Sequence, residues 1–330
     1  MKLLTKEHTS QRRLIEILRV INSTDKPIGA RMISDLLSAR GYELGERAVR
    51  YNLKILDELG FTERQGYSGR ILTPIGVREL NDALVDDRMG FVNTRIEEYM
   101  YRTSFDPRSL SGDVIVNTSI IKKDDYEKVA DILKGVFNSG YTISRRVLIL
   151  DEAEELENIE IPEGSLGIAT LCSITIDGIL LKKGIPVNTT FAGVIEINYR
   201  APSEFTDLIA YAGSSLDPMK IFMARKMTSV ASSVCDGTGK ILANVREIPL
   251  AAADVADNLM GQLKSVGLCG LVKMSAPGEP NLGCPIGSGK IGITLFAGVN
   301  AVAAAEEQGI RISTMPISAM VDYNRMRELK

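Results

Sequence analysis

An internal duplication in the second part of the chain constrains the fold more than any other feature. The sequences VADILKGVFNS, at residues 129–139, and VADNLMGQLKS, at 255–265, share six of eleven residues at an offset of 126. Gly-Ile pairs at 167 and 184 recur at 292 and 309, an offset of 125. Because separate motifs share nearly the same spacing, we infer two copies of one structural unit, at residues 113–200 and 240–325.

Each copy carries the same predicted order of secondary structure. A strand precedes the repeated helix, two strands follow it, and a second helix ending at Gly184 or Gly309 leads into a closing strand. The clearest strands are predicted at 114–117 and 146–150 in the first copy and at 241–244 and 269–274 in the second. This βαββαβ order is that of a split βαβ, ferredoxin-like unit. We expect the two copies to pack about a pseudo-twofold axis with a cleft between them.

Residues 1–75 predict a winged helix-turn-helix domain. Apolar residues at helical spacing predict helices over 11–22, 30–40 and 45–60. Two short β-like runs, at 61–64 and 70–72, flank a glycine-containing tip that is typical of a hairpin. Three helices followed by a hairpin is the order of a winged helix. The fold class is therefore α+β: an N-terminal winged helix-turn-helix followed by a duplicated α/β, βαββαβ-like regulatory domain.

The third predicted helix has two different faces. Val49, Leu53 and Leu56 recur at the spacing of a buried face, and cationic residues occupy the opposite side. Such a face can enter a DNA major groove, while the wing reaches the flanking backbone or minor groove. The predicted DNA-binding residues are Arg47, Arg50, Tyr51 and Lys54 on the helix and Arg64, Tyr67 and Arg70 on the wing. The alternatives are a solvated helix face or a winged helix that contacts protein.

Charge is distributed unevenly between the two parts of the chain. Residues 1–80 carry 14 Lys and Arg against 10 Asp and Glu, and the remainder carries 25 against 32. A basic module joined to an acidic body suits a protein that binds a polyanion through one domain. Between them, residues 76–111 predict a connector helical segment, which could instead cover the core of the following domain. Residues 112–330 are then expected to bind an effector and to dimerise.

Cysteine and histidine usage argues against metal, disulfide and catalytic chemistry. The single histidine is His8, and the cysteines Cys172, Cys235, Cys269 and Cys284 contain no CxxC pair. We expect no metal site, no cofactor and no enzyme activity, and the cysteines as free thiols in the core. No apolar run approaches the ~18–20 residues of a membrane span, and the first ten residues lack the apolar core of a signal peptide. A cytoplasmic protein is therefore expected.

The duplicated body offers side chains suited to a small anion. A buried carboxylate needs a cationic partner and hydrogen-bond donors, so charged donors interspersed with hydroxyls favour such a site. The candidate residues are Arg246, Lys273 and Lys290 as charged donors and Thr189, Thr190, Ser313 and Thr314 as hydroxyl donors. Each could instead be an ordinary surface charge or a hydroxyl at a strand end.

Two segments of unusual composition are each compatible with two structural roles. The run GCPIGSG at residues 283–289 matches neither a Walker loop nor a dinucleotide fingerprint, and it could form either a turn or an anion-binding nest of amides. Residues 214–249 are rich in Met, Thr, Ser and Gly. They could line a cleft or pack one domain against another.

Three segments carry a resemblance to a known family. With the winged helix at 12–72, the sequences DPMKIFMARKMTSV (217–230), GTGKILANVREIP (237–249) and GIRISTMPISAMVDY (309–323) resemble the NrpR family of archaeal nitrogen-responsive transcriptional regulators. The resemblance covers nearly the whole chain. It implies a repressor of nitrogen-fixation and ammonium-assimilation genes that binds palindromic double-stranded operator DNA and is released by 2-oxoglutarate. It also implies a homodimer or a pairing with a paralogous regulator.

Two other functions are compatible with the residues. One is an enzyme that acts on a small keto acid and uses the winged helix as a tether, although no catalytic histidine is at hand. The other is an adaptor whose winged helix binds protein. Turnover of a keto acid would distinguish the first from a repressor, and weak, sequence-independent DNA affinity would distinguish the second.

Overall fold

The computed structural model describes residues 4–24, 26–42, 44–77, 80, 92–214, 216–268 and 270–329, with the backbone alone for residues 4–12. The chain forms two compact units, Met1–Gly90 and Phe91–Lys330. Within the described ranges, no helix is both long and apolar enough to span a membrane.

The first unit has the predicted winged-helix order. Its helices are α1 (Leu4–Asn22), α2 (Ala30–Ala39) and α3 (Glu46–Glu58), and its wing strands are β1 (Thr62–Arg64) and β2 (Arg70–Leu72). Ile17, Ile33 and Leu53 are fully buried among the three helices. Helix α1 begins earlier than the residue 11 that the sequence predicts. Ile28 pairs with Arg70 and so extends the wing by one bridge.

One glycine fixes the base of the wing. Gly69 has a φ of 124°, and a Cβ there would lie 2.3 Å from the carbonyl carbon of Ile28. Only glycine tolerates both the backbone conformation and this close approach.

The second unit contains both copies of the duplication. The first copy follows helix α4 (Val92–Arg102) and comprises β3 (Asp113–Lys122), α5 (Tyr126–Ser139), β4 (Arg146–Leu150), β5 (Glu155–Leu156), β6 (Ile159–Glu160), β7 (Ser165–Leu171), α6 (Ile174–Lys182), β8 (Asn188–Asn198) and β9 (Ala201–Ala210). The intervening segment forms α7 (Pro218–Ala224) and α8 (Val230–Cys235). The second copy comprises β10 (Gly239–Pro249), α9 (Ala253–Ser265), β11 (Leu271–Met274), β12 (Lys290–Phe296), α10 (Asn300–Glu307), β13 (Ser313–Asp322) and β14 (Arg327–Glu328). The predicted βαββαβ order is present in both copies, with an added hairpin in the first and a closing strand in each.

The two copies exchange their fourth strands. One five-stranded sheet has the order β13-β3-β7-β4-β14 and the other β11-β12-β10-β8-β9, with antiparallel neighbours throughout. Strand β8 of the first copy therefore pairs with β10 of the second, and β13 of the second pairs with β3 of the first. Each copy completes the sheet of the other, so the two form one interlocked body.

Strand β3 is buried on both faces of its sheet. On β3, Ile115 and Ile121 belong to one apolar core, whereas Val114 and Val116 belong to the other. Alternate side chains of a strand point to opposite faces, so this sheet separates two cores. A sheet covered on both sides explains why its strands read as nearly continuous apolar runs.

Candidate nucleic-acid interface and ligand cavity

Helix α3 presents the predicted cationic residues on one exposed face. Val49, Leu53 and Leu56 are fully buried against the other helices of the unit. The helix period then places the remaining predicted residues outward, and Arg47, Arg50, Tyr51 and Lys54 are all exposed. Tyr51 keeps 69% of its surface open, which is unusual for a large aromatic side chain. An exposed aromatic among cations is suited to a polyanion surface.

Acidic neighbours hold two of these cations by weak ion pairs. An Arg50 guanidinium nitrogen lies 2.6 Å from Glu46 Oε1, and Lys54 Nζ lies 3.8 Å from Glu58 Oε1. Arg50, Lys54 and Glu58 are each more than 60% exposed, and Glu46 is 40% exposed. Exposed pairs of this kind contribute about 0.3–0.5 kcal/mol, so a phosphate group can replace the carboxylate at little cost.

The tip of the wing is fully open to solvent. Tyr67 has no burial at all, and Arg64 is exposed with its Nε donating to the carbonyl oxygen of Gly66 at 3.1 Å. Neither side chain contributes to the core of the unit, so both are free to contact a ligand.

Arg70 differs from the other predicted contact residues because it binds within the unit. Its guanidinium donates to both carboxylate oxygens of Asp57 at 2.9–3.0 Å, and Thr62 donates to the same carboxylate at 2.6 Å. Burial acts to raise the pKa of Asp57, but the hydrogen bonds from Arg70 and Thr62 outweigh it and lower that pKa. Arg70 thus fastens the wing to α3. A direct contact of Arg70 with DNA stays a prediction.

Among the candidate anion-binding residues, Arg246 lies in the core. Its Nε is 2.7 Å from Asp177 Oδ1, and both side chains are fully buried. Thr189 donates to Asp177 Oδ2 at 2.8 Å, and Arg246 donates to Asn244 Oδ1 at 2.9 Å. Burial raises the pKa of Asp177, and the charge of Arg246 opposes that rise. The cluster joins α6 and β8 of the first copy to β10 of the second.

The hydroxyl groups and charges of the other candidate residues do not join this cluster, although Thr190 is the neighbour of Thr189 on β8. Thr190 donates to the carbonyl oxygen of Val245, and Thr314 shares a hydrogen bond with Ser119. Ser313 is exposed at the start of β13, Lys273 is exposed on β11, and Lys290 is half-buried at the start of β12. Register places Lys273 opposite Thr294 but Lys290 opposite Pro249. The structure therefore brings two of the seven together, and the seven as one binding site stay a prediction.

A small cavity lies between the two copies, where the sequence predicts a cleft, but none of its polar lining residues is among the predicted effector-binding residues. It holds ≈ 10 Å³ for the centre of a water-sized sphere, about enough for one water. Its polar lining residues are Asn117, Ser173, Tyr211, Asp217 and Asn244. Asn244 donates to Ser173 Oγ at 2.8 Å and also bonds the buried hydroxyl of Tyr211. A signal was present, because the first strand of each copy carries an asparagine at the corresponding position, Asn117 or Asn244.

The prediction that the cysteines are free thiols in the core holds for part of the set. Cys172 and Cys284 are buried free thiols, and burial raises the pKa of Cys172 to about 12. Cys235 is exposed where α8 ends, so its predicted core position is wrong. Cys269 lies outside the described residues. Among the residues that are described, no three His, Cys, Asp or Glu side chains form a metal-binding group.

The glycine-rich run at 283–289 and the segment at 214–249 also have defined places. Gly287 N donates to the Glu247 carboxylate at 2.8 Å, so that amide already has an anionic partner from the chain itself. The segment at 214–249 places Asp217, Met219 and Asn244 in the lining of the cavity between the two copies.

Fold and site together define a class: a winged helix with an exposed cationic face, joined to a duplicated regulatory domain. Residues 15–80 match the family model of the ribonuclease R winged-helix domain, and residues 89–328 match that of the NrpR regulatory domains NRD1 and 2. The chain belongs to the NrpR family of nitrogen regulators. The resemblance seen in the sequence is thereby confirmed, as is the expectation of a regulator rather than an enzyme.

Individual relatives support the same assignment. The chain is 49% identical to the Global nitrogen regulator NrpRI of Methanosarcina mazei, over 97% of this chain and 98% of that protein. It is 32% identical to the Global nitrogen regulator NrpR of Methanocaldococcus jannaschii over 97% of this chain, but it spans only 55% of that longer relative. A crystal structure of a nitrogen repressor-like protein from Methanococcus jannaschii superposes with a TM-score of 0.62 at 26% identity. That match covers 72% of this chain and 97% of the other.

Proposed function

We propose that this protein represses nitrogen-assimilation and nitrogen-fixation genes by binding palindromic operator DNA as a dimer, and that 2-oxoglutarate releases it. The observation that carries the DNA-binding part is the exposed face of α3, where Arg47, Arg50, Tyr51 and Lys54 stand opposite a fully buried apolar face. Membership of a family of nitrogen regulators supports the choice of target genes. The dimer and the effector rest on the family resemblance.

In this proposal α3 enters the major groove. Arg47 and Arg50 donate to guanine edges or phosphates, and Tyr67 and Arg64 on the wing contact the neighbouring backbone. When the protein binds DNA, Arg50 leaves its ion pair with Glu46 and contacts the DNA instead. In a dimer, two such helices reach successive major grooves only if they stand about 34–36 Å apart, one helical turn of DNA.

Release of the protein from DNA then requires a change in the distance between the two α3 helices of the dimer. An effector can shift the dimer only by binding one arrangement of the two bodies more tightly than the other. The interlocked sheets suit this role, because a movement of one copy is transmitted to the other through the shared strand pairs β8–β10 and β13–β3.

Fluorescence anisotropy with a labelled operator duplex tests the DNA-binding part. We expect Arg50→Ala to weaken binding at least tenfold and to reduce the slope of log affinity against log salt by about 2, because a dimer loses one phosphate contact from each protomer. The matched control is Lys128→Ala, which removes one exposed charge from α5 outside the proposed interface. Equal effects of the two substitutions would rule out α3 as the recognition helix.

A further inference from the structure

The hairpin β5–β6, which the first copy carries in addition to the repeated elements, holds a glutamate in an unfavourable conformation. Leu156 pairs with Ile159, so Glu157 and Asn158 form the loop. Glu157 has a φ of 51°, in the left-handed region that favours glycine or asparagine in a hairpin loop. A charged residue kept in such a conformation points to a role for its side chain.

The Glu157 carboxylate joins the hairpin to helix α4 and to strand β13. On α4, Arg102 donates to Oε1 at 2.9 Å, and the Tyr99 hydroxyl lies 2.9 Å from Oε2. On β13, Met320 N donates to Oε1 at 3.1 Å. The Tyr99 hydroxyl also lies 3.0 Å from the carbonyl oxygen of Ser318, so its single proton has two acceptors. These five residues form a group of contacts that we call the clasp.

The clasp is partly shielded from water, which strengthens its charged contacts. The side chain of Glu157 is 26% exposed and that of Arg102 is 43% exposed. Burial and the neighbouring Glu157 raise the pKa of Tyr99 to about 12, so its hydroxyl keeps the proton that it donates. The Arg102 guanidinium also lies 5.1 Å from the centre of the Tyr99 ring. Hydrogen bonds to an ionised group in such a setting are stronger than those between neutral groups.

Strand β13 meets the clasp at an irregular place. It lies at the edge of its sheet, so the backbone groups on its outer side need partners other than a strand. Between Met315 and Ala319 four steps along β13 oppose two along β3, which makes β13 bulge. Within this bulge, Ile317 has a φ of 47°, which a β-branched residue rarely adopts. The clasp contacts the bulge at Ser318 and the strand beyond it at Met320.

Helix α4 is the element through which the chain enters the second unit. The first unit ends at Gly90, and α4 begins at Val92. The helix also packs closely on α6, where a Cβ on Gly178 would lie 3.0 Å from the carbonyl oxygen of Met100. Helix α4 therefore contacts α6 of the first copy directly and β13 of the second copy through the clasp.

We propose that the clasp couples the bulge of β13 to the position of α4. With the bulge as it stands, Ser318 and Met320 hold Tyr99 and Glu157, and Glu157 holds Arg102. A rearrangement of the bulge withdraws these backbone partners and frees the outer side of α4. A change at the junction of the two copies thereby reaches the helix that leads back to the winged-helix unit. The proposal goes beyond the proposed function and depends on neither operator nor effector.

Hydrogen exchange of the full chain, followed by mass spectrometry, tests the clasp. Glu157→Ala removes the carboxylate and leaves the hairpin backbone in place, so amides of α4 should exchange at least about tenfold faster. Tyr99→Phe removes one hydroxyl at nearly constant volume and should act in the same direction. Helix α5, which lies outside the clasp, is the internal reference and should keep its wild-type rate. The matched control is Glu155→Ala, which removes an exposed carboxylate from the same hairpin and should exchange like the wild type.

A substitution in the bulge tests the coupling itself. The Ser318 hydroxyl lies 2.8 Å from Thr118 Oγ1 and accepts from Thr118 N at 2.9 Å. Ser318→Ala therefore loosens the bulge but keeps the carbonyl oxygen that Tyr99 contacts. Exchange in α4 should rise at least about threefold in this variant. Adding Ser318→Ala to Glu157→Ala should give little further increase, because the coupling is already broken.

Several results would overturn the proposal. One is wild-type exchange of α4 in Glu157→Ala or in Tyr99→Phe, and another is equal acceleration in the Glu155→Ala control. Equal acceleration of α4 and α5 would show a general loss of stability in place of a local contact. Fully additive effects of Ser318→Ala and Glu157→Ala would show that the bulge does not act through the clasp. Because no measurement uses operator DNA or 2-oxoglutarate, failure of the clasp and failure of the proposed function are separate outcomes.

Discussion

Replacing Arg246 with methionine should strongly destabilise the duplicated body. Arg246 and Asp177 have no solvent exposure, and they join elements of both copies through a 2.7 Å contact. Met fills much of the volume of the arginine but leaves the Asp177 carboxylate buried without its countercharge. Removing one partner of a buried ion pair typically costs about 3–5 kcal/mol, and we expect a loss of that size here.

The other sheet contains an equivalent position that is built without charged residues. At an offset of 125, Val302 corresponds to Asp177 and Thr314 to Thr189. Ser119 pairs with Thr314 in the strand register as Arg246 pairs with Thr189. There Ser119 and Thr314 share a hydrogen bond of 3.0 Å, and Val302 is fully buried. The double variant Asp177→Val, Arg246→Met should therefore recover most of the loss and lie within about 1–2 kcal/mol of the wild type.

Urea unfolding of the full chain, followed by far-ultraviolet circular dichroism, measures these free energies from the transition midpoint and slope. The two single variants and the double variant form a cycle whose coupling energy isolates the pair. Two results would refute a matched ion pair. One is a loss of unfolding free energy below about 1 kcal/mol in the single variants. The other is a loss in the double variant equal to the sum of the losses in the two single variants.

Two further predictions concern the winged helix. Glu46→Gln frees Arg50 from its 2.6 Å ion pair, so operator affinity should rise severalfold at low salt and less at high salt, measured by anisotropy; a fall in affinity would contradict this. The lowered pKa of Asp57 means that its contribution to stability is present above the ordinary value of 3.8 and is lost as pH falls below it. Asp57→Asn should therefore be less stable than the wild type at pH 7 and lose less stability on acidification. Parallel acid profiles for the two proteins would contradict the role of the pair with Arg70.

The winged-helix fold can largely be predicted from sequence, because the local pattern of apolar residues and glycines determines its helices and turns. Its apolar residues recur at the helical period, and Gly41, Gly60 and Gly69 mark the places where the chain leaves regular structure with positive φ. Helix α1 starts earlier than the sequence predicts, because the sequence ahead of residue 11 lacks the apolar periodicity that identifies the rest of the helix.

The exchange of strands between the copies was not accessible from sequence. Both copies carry the same order of elements, so strands that pair within a copy and strands that pair between copies give the same pattern. Helix α6 illustrates a second limit. Its sequence ITIDGILLK is rich in β-branched residues, and every position from Ile174 to Leu180 is buried. Tertiary packing here overrides weak helix propensity.

The role of Arg246 shows what a single sequence leaves out about a site. From sequence alone, a cation near the end of a strand suggests a ligand donor, whereas the partner of Arg246 is Asp177, far away along the chain. The signal lay in that partner, because an acid within the apolar run ITIDGIL requires a buried countercharge or hydrogen bonds. Geometry was needed to connect the two.

The most direct test of the account is the effect of 2-oxoglutarate on operator binding by the wild-type protein. Anisotropy titrations of a palindromic duplex at fixed salt and pH, with and without saturating 2-oxoglutarate, give the two dissociation constants. We expect 2-oxoglutarate to weaken operator binding at least tenfold, and saturating operator to weaken 2-oxoglutarate binding by the same factor, as linkage requires. An operator affinity that does not change with 2-oxoglutarate would contradict the account.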